Sequence, residues 1–194
     1  MSPFKPAVVT AGVLLAASDV LEEVSPGTRF SEHVVTPTFR AGALIGLVAT
    51  FALALALIHL HTRSAGRAGR GALAVAVSAG IGVMLLACLT WSTAFVDPAA
   101  ASVAPGFVDN TPPGILVIGY FGSVAWFGLS WLAYAIVMLR TGVFARPPVV
   151  VLLLGALAAA LPVVPFAMVV FGIALAWLGL APARAVAPQP LPAV

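Results

Sequence analysis

Three of the chain's six acidic residues stand within five positions, Asp19, Glu22 and Glu23 in the run ASDVLEEVSPG, at the end of an apolar stretch that begins beside Lys5. At about 100° per residue, Glu22 and Glu23 fall on either side of Asp19, so the three carboxylates share one face of a helix. Lys5 to Asp19 is 14 residues, a helical rise of about 21 Å. With Lys5 at one membrane interface, Asp19 still lies inside a hydrocarbon core of about 30 Å, and the glutamates are nearer water. An ionisable group at that depth is costly and marks a candidate functional site. A neutral carboxylic acid in a dry pocket is a proton donor, so the cluster reads as a general acid or proton relay. Two other readings stay open: a helix that ends at Ser18 with its acids solvated, and a hard-oxygen site for Mg²⁺ or Ca²⁺ on Asp-x-x-Glu-Glu. Nothing else in the sequence supports the metal reading. Cys88 is the single cysteine, and His59 and His61 are about 200° apart around a helix rather than at the i, i+4 spacing that one metal needs. No metal or other cofactor is expected.

The elements that must position these acids are apolar. The chain is 62% hydrophobic and 8% charged, with a mean hydropathy of +1.14, against about 25% charged residues in a soluble domain. Its solvent is expected to be a bilayer. Apolar segments run over 6–24, 39–61, 71–96, 114–139 and 147–181. The last, at 35 residues, would be about 52 Å long as one helix, and Pro162 and Pro165 in LPVVP interrupt it. The expected fold is all-α: a polytopic transmembrane bundle of six helices, or five if the last pair is one kinked element. Residues 1–182 form that bundle, and 183–194 a Pro-rich cytoplasmic tail.

Charge sets the orientation. Lys5, Arg63, Arg67, Arg70, Arg140, Arg146 and Arg184 all fall on the cytoplasmic side if the N-terminus is inside, as the positive-inside rule expects; Arg29 and Arg40 go against it. The expectation is a multi-pass protein of the bacterial cytoplasmic membrane with both termini cytoplasmic. Eight Arg against one Lys, with abundant Ala, Val and Gly, suggest a high-GC bacterium. Every acid, Glu32, Asp97 and Asp109 included, then faces outward. Lys5 followed by an apolar run and LLAAS also loosely resembles a signal peptide. No basic run interleaves with aromatics, which excludes nucleic acid as a partner.

In GILVIGYFGSVAWFGLSWLAYAIVMLR, Tyr120, Ser123, Phe127, Ser130 and Tyr134 recur at steps of three and four, flanked by Trp126 and Trp131. Trp91 and Phe95 share a face of the preceding span with Cys88. Such rings stabilise a desolvated cation by about 2 kcal/mol or more; they also serve as interfacial belts and core packing. Gly42 and Gly46 form a GxxxG helix-packing motif.

The passages LIHLHTRSAGRAGRGAL, WSTAFVDP and LRTGVFARPPVVVLLLGALAAALP resemble a broad set of small actinobacterial polytopic membrane proteins. Within that set, in size, helix count and acid placement, the chain is similar to the small bacterial integral membrane terpene cyclases of indole-sesquiterpenoid (drimentine- and xiamycin-type) pathways. The DDxxD and DxDD boxes of soluble terpene cyclases are absent. The resemblance implies that Asp19, with Glu22 or Glu23 next, protonates the alkene or epoxide of a prenylated small molecule entering from the lipid. Trp91, Phe95, Tyr120, Trp126, Phe127 and Trp131 would line a dry cavity that folds the chain and stabilises its cations. Asp97 and Asp109 would be lids or alternative acids. Two rival readings are a proton-coupled small-molecule transporter and a non-enzymatic accessory membrane protein.

Overall fold

In hydrocarbon, backbone N–H and C=O groups find partners only within their own segment, so every apolar stretch of this chain becomes helix. The computed structural model describes residues 5–67, 69–110, 114–161 and 164–181. In chain order the helices are α1 (Lys5–Glu23), α2 (Phe30–Val34), α3 (Pro37–Ser64), α4 (Gly69–Trp91), α5 (Asp97–Val103), α6 (Pro105–Asp109), α7 (Gly114–Thr141), α8 (Arg146–Ala159) and α9 (Ala167–Leu180). No strand interrupts them among the described residues. Pro162, Arg184, the Arg70 side chain and the 183–194 tail lie outside the described residues.

The five apolar segments of the sequence correspond to α1, α3, α4, α7 and, for the last, the pair α8 and α9; these six helices pack as a closed ring in the order α3, α1, α9, α8, α7, α4 and back to α3. All six supply side chains to one core, whose largest fully buried members are Trp131, Tyr134, Phe127 and Phe171. Phe171 meets Trp131 and Phe127 edge-on, with ring centres 5.2 and 5.4 Å apart.

The helix faces are sorted for a bilayer. Along α3, small residues Gly42, Gly46, Ala49 and Ala56 turn inward, while Leu44, Val48, Phe51, Leu55 and Ile58 are exposed. A membrane helix gains nothing by hiding Leu from lipid tails; it gains by close backbone approach at small residues. Gly42 and Gly46, the GxxxG pair, receive α1: a Cβ on Gly46 would stand 2.5 Å from Ser18 Oγ.

Three helical runs are long and apolar enough to cross a membrane: Pro37–Arg67, Gly71–Val103 and Gly114–Thr141. The chain is on that ground a membrane protein. α1 has 19 residues but carries the acids, and α8 and α9 have 14 each, about 21 Å: they are the two short helices on either side of LPVVP that the prolines imply, and each is shorter than the hydrocarbon core.

One boundary differs from expectation. The third span continues beyond Val96, through a π-helical turn at Ser92–Val96, into α5. Pro98 lacks an N–H, and a π turn just before it lets the helix absorb that loss without stopping. The segment 97–113, which lies between two apolar segments of the sequence, holds α5 and α6 among its described residues, packed with α2 around Val34, Phe39, Ala94 and Ala101.

Helix ends also sort the charges. Lys5, Arg63, Arg67, Arg140 and Arg146 stand at or beside the ends of α1, α3, α7 and α8 at one pole, and Asp19, Glu22 and Glu23 close α1 at the other.

Candidate functional site

At the acidic pole the ring encloses a cavity of about 250 Å³ to which all six of its helices contribute. α1 provides Leu15, Ser18, Asp19, Glu22 and Glu23; α3 provides Gly46; α4 and the π turn provide Leu86, Leu89, Thr90 and Thr93. Tyr120, Val124 and Phe127 come from α7, and the α8–α9 hairpin supplies Ala159, Leu161, Val164, Ala167 and Met168. The α1 and π-turn side of the cavity carries its carboxylates and the Ser18, Thr90 and Thr93 hydroxyls, and the α7 and hairpin side is mostly apolar. Phe127 and Leu15 are both buried beneath the carboxylates, and the Trp131–Phe171–Tyr134 cluster packs below them.

The three acids of the sequence reading meet in this cavity but are held differently. Asp19 Oδ2 accepts a 3.0 Å hydrogen bond from the backbone N–H of Val169 in the first turn of α9. That end of a helix has free N–H groups and favours negative charge. The N-cap residue of α9, Phe166, makes no side-chain cap bond, so Asp19 does the capping from another helix.

Glu22 is partly buried, and its Oε1 lies 3.1 Å from Ser18 Oγ, which is itself 2.9 Å from the carbonyl oxygen of Gly42. Ser18 has one hydroxyl proton and two acceptors within reach. Glu23 is exposed at the cavity rim.

The aromatic residues divide. Tyr120 and Phe127 line the cavity. Trp131 lies one helical turn deeper, fully buried in the core. Trp91 and Phe95 are exposed and stack on each other outside the wall, with ring centres 5.8 Å apart. Trp126 is exposed as well, its Nε1 donating to the Ser78 carbonyl of α4 at 3.3 Å.

Asp97 and Asp109 also lie off the cavity wall. Asp97 accepts from Ser92 Oγ at 3.4 Å. Asp109 accepts from the Ser31 N–H at 2.8 Å and the Ser31 hydroxyl at 2.7 Å, tying α6 to α2. The Ser31 N–H above all, then its hydroxyl and the Arg29 charge, hold the Asp109 carboxyl below the usual carboxylate range. The Thr28 N–H and hydroxyl do the same for exposed Glu32.

Sequence reasoning missed Ser18, Thr90, Thr93 and the α8–α9 junction. Ser18 had a signal, since it lies four residues before Glu22 on the acidic face and opposite the GxxxG pair. Among the described residues, no group of three or more His, Cys, Asp or Glu side chains is arranged to hold a metal ion.

No family model matches the chain, and neither a curated protein nor a solved structure does.

Proposed function

We propose that this chain is a membrane-integrated cyclase of the terpene cyclase type. It protonates an alkene or epoxide of a prenyl chain and lets the resulting cation close rings against the cavity wall. One observation carries the reading: a single half-enclosed cavity brings Glu22 and its hydroxyl neighbour over apolar walls that end on the Phe127 ring. A cavity of about 250 Å³ lies just under the roughly 300–1,000 Å³ usual for small-molecule sites, enough for one folded chain segment.

Glu22 is the proton donor. As a neutral acid it donates to Ser18 Oγ while Ser18 donates to the Gly42 carbonyl, an arrangement that satisfies all three groups with the protons available. Asp19, committed to α9 as an acceptor, is the neighbour that holds the cavity wall in place. Two carboxyls with opposed surroundings and opposed roles are a recurrent way of running acid chemistry near neutral pH.

The proton leaves Glu22 for the terminal alkene carbon or epoxide oxygen. The π electrons of the next double bond attack the cation, and the final cation loses a proton to the Glu22 carboxylate or to a water at Thr90 or Thr93. The product is an isomer of the substrate. Phe127 faces the developing cation, and such a contact is worth about 2 kcal/mol or more when dry.

The floor of the cavity favours this reading over transport. Below Phe127 the ring is filled by Trp131, Tyr134 and Phe171, whereas a transporter needs its central site to reach both sides in turn. In the proposed orientation the acidic pole faces outward and the basic pole lies in the bacterial cytoplasm, with both termini there.

The test is a product assay on membranes containing the chain, supplied with prenylated indoles, prenylated diketopiperazines and their epoxides. A cyclised product isomeric with its substrate is expected. Absence of product from every substrate would overturn the enzymatic reading.

A further inference from the structure

The wall of the ring is uneven at the acidic pole. α8 and α9 have 14 residues each and α7 has 28, about 21 Å against about 42 Å. The turn from α8 to α9 comes at the level of Gly128, where a Cβ would collide with the Ala160 backbone. From Gly128 back to Gly114, about 21 Å of helix, α7 stands above the hairpin. A Cβ placed on Gly114, Gly119 or Gly122 would meet nothing within 4 Å. On the opposite flank α1 rises four residues past Asp19, which marks the start of α9. The hairpin is thus the sill of a notch whose sides are α1 and α7.

Where that notch meets the cavity is given by the residues that both line the cavity and are exposed: Glu23, Tyr120, Leu161 and Val164. Three of the four are apolar or aromatic. Their exposed neighbours outside the cavity, Ile118 and Phe121 on α7 and Phe166 on the sill, are apolar too. An opening rimmed in this way, beside α7, which is long and apolar enough to cross a bilayer, faces hydrocarbon more than water.

We infer that the notch above the α8–α9 hairpin is a lateral doorway through which the hydrocarbon chain of a bilayer-dissolved amphiphile reaches Glu22 directly from the lipid, its polar end remaining at Glu23. What passes through it rests on the cyclase reading; that the cavity opens to lipid does not. The doorway explains why a membrane helix pair is cut to 14 residues, too short to cross about 30 Å of hydrocarbon: a full-height pair would wall the cavity off.

The experiment places single nitroxide labels at Val164→Cys and, separately, Leu161→Cys in the full chain with Cys88→Ser. The protein is reconstituted in phosphatidylcholine–phosphatidylglycerol vesicles. Collisions with oxygen, which partitions into hydrocarbon, are compared with collisions with a water-soluble nickel chelate. Val48→Cys, on the exposed face of α3, is the lipid-facing reference. Labels at both rim sites are expected to match that reference, with oxygen dominating. A nickel-dominated signal would place the mouth in water, and protection from both reagents would mean a closed wall; either overturns the doorway. The readout needs no turnover. Lipid-exposed rim labels without any product defeat the cyclase reading alone, and product with water-exposed labels defeats the doorway alone.

Discussion

The Asp19 carboxylate and the Val169 backbone N–H, 150 positions apart in the chain, are joined by a 3.0 Å hydrogen bond. This contact fixes where α9 begins. It therefore bears on the height of the sill and on the apolar side of the cavity. An acid that the sequence nominates for chemistry turns out to have a demonstrable structural partner, and the neighbour three residues later has the hydroxyl contact suited to proton transfer.

Capping by Asp19 predicts a graded effect on stability. Asp19→Ala removes the acceptor and costs about 1 kcal/mol, the usual loss for a helix cap. Asp19→Asn keeps a side-chain oxygen in reach of Val169 and costs clearly less. Thermal unfolding of the purified variants in one detergent measures the difference; equal losses would mean that the charge, and not the acceptor, holds α9.

Glycines provide an internal control for the packing argument. Gly46→Ala puts a methyl group 2.5 Å from Ser18 Oγ, so α1 must move; the expected loss is about 1–3 kcal/mol, as for overpacked cores, together with reduced turnover because Ser18 is displaced from Glu22. Gly119→Ala, whose Cβ meets only open space, is expected to be neutral or slightly stabilising. The same melting experiment decides both.

The aromatic residues should separate by position. Trp91→Leu, Phe95→Leu and Trp126→Leu change groups that are exposed outside the wall and leave the product pattern and turnover unaltered. Phe127→Leu alters the ratio of cyclised products, because it replaces the ring at the cavity floor. Phe127→Ala costs about 3–5 kcal/mol as well, since the side chain is buried. Chromatography of the products, with melting in parallel, distinguishes the two effects.

The Ser31–Asp109 link predicts a pH dependence of the cap formed by α2, α5 and α6. The Asp109 carboxyl is held below its ordinary value, so the link contributes fully above the unfolded-chain value of about 3.9 and is lost as pH falls through the lower folded value. The Ser31 amide resonance in labelled protein in nanodiscs is expected to hold steady from neutral pH down to about 4 and to move only below that. A midpoint above the ordinary carboxylate value would contradict the assignment.

Much of this architecture is readable without coordinates. Hydrocarbon permits only self-satisfied backbone, so apolar segments 39–61, 71–96 and 114–139 had to be helices, and the GxxxG at Gly42 had to face a neighbour. The gathering of acids at one pole follows from where the helices end. What periodicity could not encode is which wall a side chain reaches. Trp131 follows Phe127 by four residues and flanks the same stripe, yet that turn of about 6 Å moves it from the cavity floor into solid core. Trp91 and Phe95 share a face, but the π turn that follows Trp91 lies where α4 meets the surroundings, and both rings end outside. The Asp19–Val169 contact joins the first and last helices, and no local pattern announces it.

The most direct test compares Glu22→Gln with Asp19→Asn in the product assay, at equal amounts of folded protein in the membrane. Loss of a general acid typically costs 10²–10⁴-fold in rate, or about that much here. Glu22→Gln is expected to lose cyclised product to that extent, and Asp19→Asn to retain most activity. Full activity in Glu22→Gln, with activity abolished in Asp19→Asn, would contradict that expectation and move the proton to the residue that caps α9.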